Sequence, residues 1–333
     1  MEYLEGNKKK EMDLDVRDIL LSAGQAPSPH NIQPWVFMAN DYSLTIIPDK
    51  RKSLKASDPN NRQLFVSMGC AIENLSIAAA TRRFEIVRTN MMNNGAYTFD
   101  LEHNYRVTPD PLYPMIAERR VDRRKYDGSR LTQQHLQALS DITPEYGVRM
   151  HMLPIGNVEA DILTRYILDG NKRQLETPEV KRELINAMRF NLGDELKTHD
   201  GLATRLMGGV PPMPGWLGRF LMGMALSVKS QNASMLKHIN SSSHLVLFNT
   251  VSDNMTGWVS LGRTLQRFML VATSLGVSFS FLSQPFECST LAKRLMYELP
   301  YGNEAPVMAL RLGYAQGQPL KSLRHPLSSI LVG

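Results

Sequence analysis

Cysteine is nearly missing from this chain. Only Cys70 and Cys288 occur among its 333 residues, with no CxxC pair and no histidine at metal-ligand spacing. That argues against a zinc site and signals no disulfide framework, so both are read as small buried hydrophobes. No stretch reaches the ~18 uncharged apolar residues of a membrane span. The closest, 207–228, is interrupted by Pro211, Pro212, Pro214 and Arg219. Residues 1–15 carry no apolar core of a secretory leader, so a cytoplasmic chain is expected. Excess charge of one sign is also absent: 38 basic against 32 acidic residues leave +6, without a dense Lys/Arg stripe. This speaks against a nucleic-acid partner and suits a small anionic ligand. With 43% hydrophobic and 21% charged residues the composition is that of a globular protein. At ~100–200 residues per domain, the length allows two domains or one large one.

Periodicity predicts helices over 13–23, 61–82, 132–141, 256–275 and 290–298, with 158–191 mostly helical. Strands are predicted at 35–39 and 42–47, joined by Asn40-Asp41, and at 85–90 and 97–101 around Asn93-Asn94-Gly95. Further strands fall at 148–153, 244–250, 277–282 and 306–313. Helix and strand alternate in both halves. Val66-Ser67-x-Gly69 aligns with Val259-Ser260-x-Gly262 at an offset of 193 (259 − 66), which also pairs Leu75 with Phe268 and Ala79 with Ala272. A chance match between two buried helices is the alternative; the shared order of elements favours duplication of an α+β unit.

Three segments could carry chemistry. The loop 26–34 combines Ser28, Asn31 and Gln33 with Pro27, Pro29 and Pro34. Its short donors and acceptors, stiffened by proline, suit the edge of a flat heterocycle, or simply make a rigid turn. The run 118–126 places Arg119, Arg120, Arg123, Arg124 and Lys125 within seven residues. Such a run fits a phosphate or a delocalised anion, or forms a solvated face. Arg311, inside an apolar strand, is either salt-bridged for structure or part of an anion site.

Together these segments resemble the FMN-dependent nitroreductase superfamily, and within it the Acg-like branch, in which two nitroreductase-like units are fused. The S-x-x-N-x-Q-P-W signature stands as Ser28, Asn31, Gln33, Pro34 and Trp35, and R-x-S-x-R/K-x-[FY] as Arg120, Asp122, Arg124 and Tyr126. The resemblance implies an α+β fold whose two similar α/β halves pack as an intramolecular pseudo-dimer, 1–115 carrying the first signature and 116–333 the second. It implies FMN as cofactor and NADH or NADPH as electron donor. Arg120 then matches a phosphate contact and Arg311 a second. Arg124, or Arg123 one step away, matches the basic residue at the flavin N1/C2=O edge, where it would steady the negative charge of the reduced ring. Ser28 and Asn31 match ring and ribityl contacts, with Gln33 bracing the loop. Ser283 and Gln284 fall where backbone approaches flavin N5 and O4. Asp122 departs from the family's small hydroxyl, and a carboxylate beside a phosphate repels unless it pairs with arginine. His30 is not required by the signature and stays open between a structural, a ring-edge and an acid–base role.

Each signature occurs once, so one FMN per chain is expected, held between the halves. No metal and no side-chain nucleophile is called for, because the flavin carries the chemistry. The Met-rich stretch 201–235, with Trp216 and Phe220, is read as a lid over the flavin, with core packing and a membrane-surface or partner contact as alternatives. The implied activity is ping-pong reduction of nitroaromatics, quinones or related acceptors. The alternatives are a protein that stores or sequesters FMN, and a partner-binding protein that has lost it. The chain is expected as a monomer or a further homodimer.

Overall fold

The Asp13 carboxylate accepts the backbone N–H of Asp15 at 2.7 Å, starting the first helix where the sequence predicts it. The computed structural model describes residues 12–40, 43–207 and 210–332. The first half runs α1 (Leu14–Gly24), β1 (Trp35–Ala39), β2 (Ser43–Pro48), α2 (Arg62–Thr81), β3 (Phe84–Met91), β4 (Tyr97–His103) and α3 (Tyr113–Glu118). The second begins with α4 (Gln133–Ser140), capped by Thr132, and β5 (Val148–Pro154). A long excursion follows: α5 (Val158–Glu176), α6 (Pro178–Ala187), β6 (Met188–Arg189), α7 (Leu192–Thr198), β7 (Leu202–Ala203), α8 (Gly215–Ala225) and α9 (Val228–Asn240). The chain then completes the unit with β8 (His244–Thr250), α10 (Met255–Ser274), β9 (Ser278–Phe281), α11 (Ser289–Glu298) and β10 (Ala305–Gly313), and ends with α12 (Leu327–Ile330).

Two four-stranded antiparallel sheets result. Their orders are β1-β2-β4-β3 and β5-β8-β10-β9, so each places its fourth strand between its second and third. In each the long helix, α2 or α10, joins the second strand to the third. The α-β-β-α-β-β order of the first unit recurs in the second, with α11 added between its last two strands. The excursion α5–α9 lies between the first and second strands of the second unit, where the first unit has only a tight turn. Asp41 of that turn lies outside the described residues; Asn40 Oδ1 accepts the Ser43 N–H at 2.8 Å. The expected helical run over 158–191 is divided at Pro178, which has no N–H to donate and disfavours helix at Thr177. It then gives way to β6, paired in parallel with β7.

Helices α2 and α10 cross at the repeated glycines. A Cβ on Gly69 would stand 2.1 Å from the Val259 carbonyl oxygen and 2.9 Å from Gly262 Cα. One on Gly262 would stand 2.1 Å from the Val66 oxygen and 2.9 Å from Gly69 Cα. Only residues without a side chain permit this approach. The offset of 193 thus describes a two-fold-like contact between the halves. Polar groups lock it: Gln266 Nε2 donates to Asn74 Oδ1 at 2.6 Å, and Glu73 accepts from Arg267 at 2.6 Å and Arg263 at 3.1 Å. Helix α2 is long and apolar enough to cross a membrane, yet 83% of its apolar window is buried inside the protein, as suits a central core helix. Cys70 and Cys288 are both free.

The last segment returns to the first half. After β10 the chain runs to α12 and pairs with β1, the Val332 N–H donating to Phe37 O at 2.8 Å.

Candidate functional site

Two adjoining cavities form one cleft at the seam. Both are lined by Pro27 and Ser28 of the first half and by Val121, Arg123, Leu202 and Phe281 of the second. The first, of about 60 Å³, is also lined by Arg119, Arg120, Lys321 and Arg324, and no carboxylate takes part in its lining. The other, of about 210 Å³, adds Val66, Leu265 and Met308 to the neutral polar groups of Gln63, Ser67, Ser283 and Gln284.

The cationic end is costly to assemble, because burial removes water from each charge. Arg119 is 5% exposed, and its Nη2 donates to Gln25 O at 3.0 Å. Burial pushes its guanidinium down to about 10. Burial, and then the neighbouring Arg119 and Arg120, push Arg324 down to about 9. The Nε atoms of both arginines are buried with no partner. Arg120 donates to Ala117 O at 2.6 Å, and Arg123 has no hydrogen-bonded or ion-paired partner among the described residues. Five cations around one cavity, two of them with unpartnered Nε atoms, suit an anion chemically.

The loop 26–34 is held by unusual backbone angles, with positive φ at His30, Asn31 and Gln33. Ser28 Oγ accepts the Gln33 N–H at 2.9 Å, and Asn31 donates to Leu323 O at 3.1 Å. Ser28 lines both cavities and Asn31 the cationic one. Gln33 lines neither: it is 0% exposed, donating to His199 O at 2.9 Å and accepting the His325 N–H at 2.8 Å. It braces the loop against the excursion and the tail. His30 lines the neutral end, where burial pushes its imidazole down to about 4 and keeps it uncharged near neutrality.

The arginine run divides. Arg120 and Arg123 line the cleft, but Arg124 does not. Its guanidinium forks onto Asp122 at 2.7 and 2.9 Å and reaches Gln316 O and Gly317 O. Asp122 is 1% exposed; burial opposes its ionisation, but Arg124 holds its carboxyl below the usual range. The carboxylate thus meets an arginine instead of the anion cavity. Arg311 also stays out of the cleft lining. It is 2% exposed, donates to the Asp122 and Arg124 carbonyls at 3.2 and 2.8 Å, and lies 3.9 Å from the Tyr126 ring centroid. Arg311 has no salt bridge among the described residues; backbone carbonyls and the ring face take its charge, and its Nη1 is buried without a partner.

Ser283 and Gln284 line the neutral end, on the turn after β9, and the Gln284 side-chain oxygen is buried without a partner. The expected lid is only partly in place. Gly201, Leu202, Ala203, Leu206 and Met207 cover the cationic end, whereas no residue of α8 lines either cavity. Helix α8 packs on α6 and Phe190 instead, with Lys181 reaching Gly223 O and Leu226 O. Gly208 and Gly209 lie outside the described residues.

Lys321 and Arg324 were not singled out from the sequence. They come from the returning tail, tied to the cover by the 3.0 Å hydrogen bond from Arg205 Nη2 to Lys321 O. At the position related to the cleft by the repeat, Arg263 stands where Cys70 stands in α2, and it carries ion pairs with Glu73 and Glu145 at 3.1 and 3.0 Å.

Rv3131 of Mycobacterium tuberculosis, provisionally named an NAD(P)H nitroreductase, is 24% identical over 310 residues, which are 90% of this chain and 85% of that protein. Over most of its length the chain is thus similar to a provisionally named nitroreductase. The Acg protein of the same organism, provisionally named likewise, is 34% identical to this chain over 67 residues, 19% of the chain and 20% of the relative. A solved FMN-dependent nitroreductase, NfnB from Mycobacterium smegmatis in complex with NADPH, aligns with 65% of this chain and 94% of its own at 13% identity and a TM-score of 0.41. No protein-family model matches the chain.

Proposed function

We propose that this chain is an FMN-dependent NAD(P)H oxidoreductase that reduces nitroaromatic, quinone or related acceptors in two alternating half-reactions, with one FMN per chain at the seam. What carries the reading is the division of a single cleft into a cationic end and a neutral, half-apolar end. A phosphate monoester matches the first, and the unpartnered Nε atoms of Arg119 and Arg324 are donors waiting for such an anion. A flat heterocycle with C=O and N–H edges matches the second, where Ser28, Ser67, Ser283 and the unpartnered Gln284 oxygen offer neutral donors and acceptors.

When bound, FMN supplies hydride chemistry at N5. The chain's own residues bind, orient and shield. Arg119, Arg120, Lys321 and Arg324 would hold the phosphate. Arg123, lining both ends, would supply positive charge that steadies a reduced ring. Val66, Leu265 and Met308 exclude water from the neutral end.

The deciding experiment measures flavin content, then oxidation of NADH and NADPH with a nitroaromatic and with a quinone. Turnover proportional to bound FMN is expected. The cover over the cationic end favours one second reading, sequestration of FMN. Bound FMN without nicotinamide oxidation would establish that reading instead, and protein that binds no FMN would overturn both.

A further inference from the structure

The turn after β9 ends in Glu287, a carboxylic acid with no salt-bridge partner among the described residues. Its oxygens accept hydrogen bonds from Ser283 Oγ at 2.9 Å and from the Gln174 amide of α5. The turn is pressed against α5 so closely that a Cβ on Gly170 would stand 2.5 Å from the Gln284 carbonyl carbon. Glu287 and Gln284 line the neutral end of the cleft and also a second cavity, of about 330 Å³, whose rim includes the exposed Arg173, Ser289 and Thr290. One carboxyl therefore forms the wall between the cleft and a space that reaches the surface.

We propose that Glu287 is the proton donor of the acceptor-reducing half-reaction, passing a proton from the second cavity into the neutral end of the cleft. This rests on the oxidoreductase reading above. A quinone that receives hydride from reduced cofactor becomes an oxyanion. The O–H bond of Glu287 breaks, an O–H bond forms on that oxygen, and the carboxylate left behind takes a proton from solvent through the second cavity. Hydride and proton together make the hydroquinone.

The surroundings favour a protonated Glu287 at rest. Burial raises its carboxyl to about 7, opposed by hydrogen bonds from Gln63, Ser283 and Gln174, and Asp58 adds a like charge. Asp58 is itself raised to about 6 by burial. His30 is neutral, Cys70 is pushed up to about 12 by burial, and Arg123 and Arg173 line the two cavities. A group that titrates near the working pH is a good donor and is readily reloaded.

The test uses FMN-loaded protein reduced with dithionite, so it does not depend on nicotinamide activity. Mixed with a quinone from about pH 5 to about 9, the wild type should reoxidise about tenfold more slowly above pH ~7, with a solvent deuterium effect. Glu287→Gln should be slower by roughly 100-fold at low pH, flat with pH and free of that isotope effect. Gln174→Leu removes a donor to the carboxylate and should move the break to higher pH. Infrared difference spectra of the flavin-free chain should show a carboxylic acid band titrating near pH 7 that Glu287→Gln lacks. A Glu287→Gln protein with the wild-type pH profile and isotope effect, or the absence of such a band, overturns the proposal. Failure of NADH and NADPH to reduce the flavin overturns only the oxidoreductase reading.

Discussion

Arg324 donates a 2.6 Å hydrogen bond to Asn31 Oδ1, joining the returning C-terminal tail to the loop that opens the cleft. Two segments nearly 300 residues apart thus share the cationic end, and on the proposed reading both contribute to phosphate affinity. Arg120→Ala and Arg324→Ala should each weaken FMN binding by about 2–4 kcal/mol, the usual cost of leaving a buried charged partner unpaired. Riboflavin, which lacks the phosphate, should bind the variants as it binds the wild type. Titration by flavin fluorescence checks this; equal losses for the two ligands would place the phosphate elsewhere.

The crossing of α2 and α10 predicts a structural effect. In Gly69→Ala or Gly262→Ala the new methyl meets a backbone carbonyl, which cannot rotate away. Either change should destabilise the chain by about 3 kcal/mol, read in chemical denaturation. Unchanged stability would mean that the helices do not approach so closely.

These glycines also show what the sequence could reveal. The offset of 193 was legible because the repeated Val-Ser-x-Gly marks the point of contact, and contact between backbones restricts residue choice. The common strand order was hidden, because the excursion α5–α9 separates β5 from β8 in the second copy alone. Ser28, Asn31 and Arg120 belong to local signatures and line the cleft, whereas Arg123, one step off the signature, lines it in place of Arg124. Lys321 and Arg324 were not legible, since only the tertiary path of the tail brings them to the cavity. Arg311 was correctly seen as a charge in an apolar strand, but its direction, onto two carbonyls and the Tyr126 ring, is set by packing that no spacing encodes.

Access to the cleft should depend on Leu202, which lines both cavities, and not on α8. Leu202→Ala should speed reoxidation of reduced protein by bulky quinones several-fold. Deletion of 208–223, which would also speed it if α8 were the lid, should leave the rate unchanged. Stopped-flow measurements with quinones of increasing size compare the two, and a faster rate only in the deletion would restore α8 as the lid.

Glu287 also links stability to pH. Its folded-state carboxyl lies above the unfolded value, so the stability it adds is complete below the unfolded pKa, near 4.5, and lost as pH rises through about 7. Relative to Glu287→Gln, the wild type should lose about 3 kcal/mol between pH ~5 and pH ~8. Urea denaturation at the two pH values measures it; parallel behaviour of the two proteins would show that this carboxyl is not held protonated.

The central claim is a fused pair of nitroreductase-like halves with one working seam. The related position across the repeat is occupied by Arg263 and its ion pairs with Glu73 and Glu145. Stoichiometric titration of flavin-free chain with FMN, with protein concentration fixed by amino-acid analysis, tests it most directly. Saturation at one FMN per chain is predicted; saturation near two, or no binding at all, would contradict it.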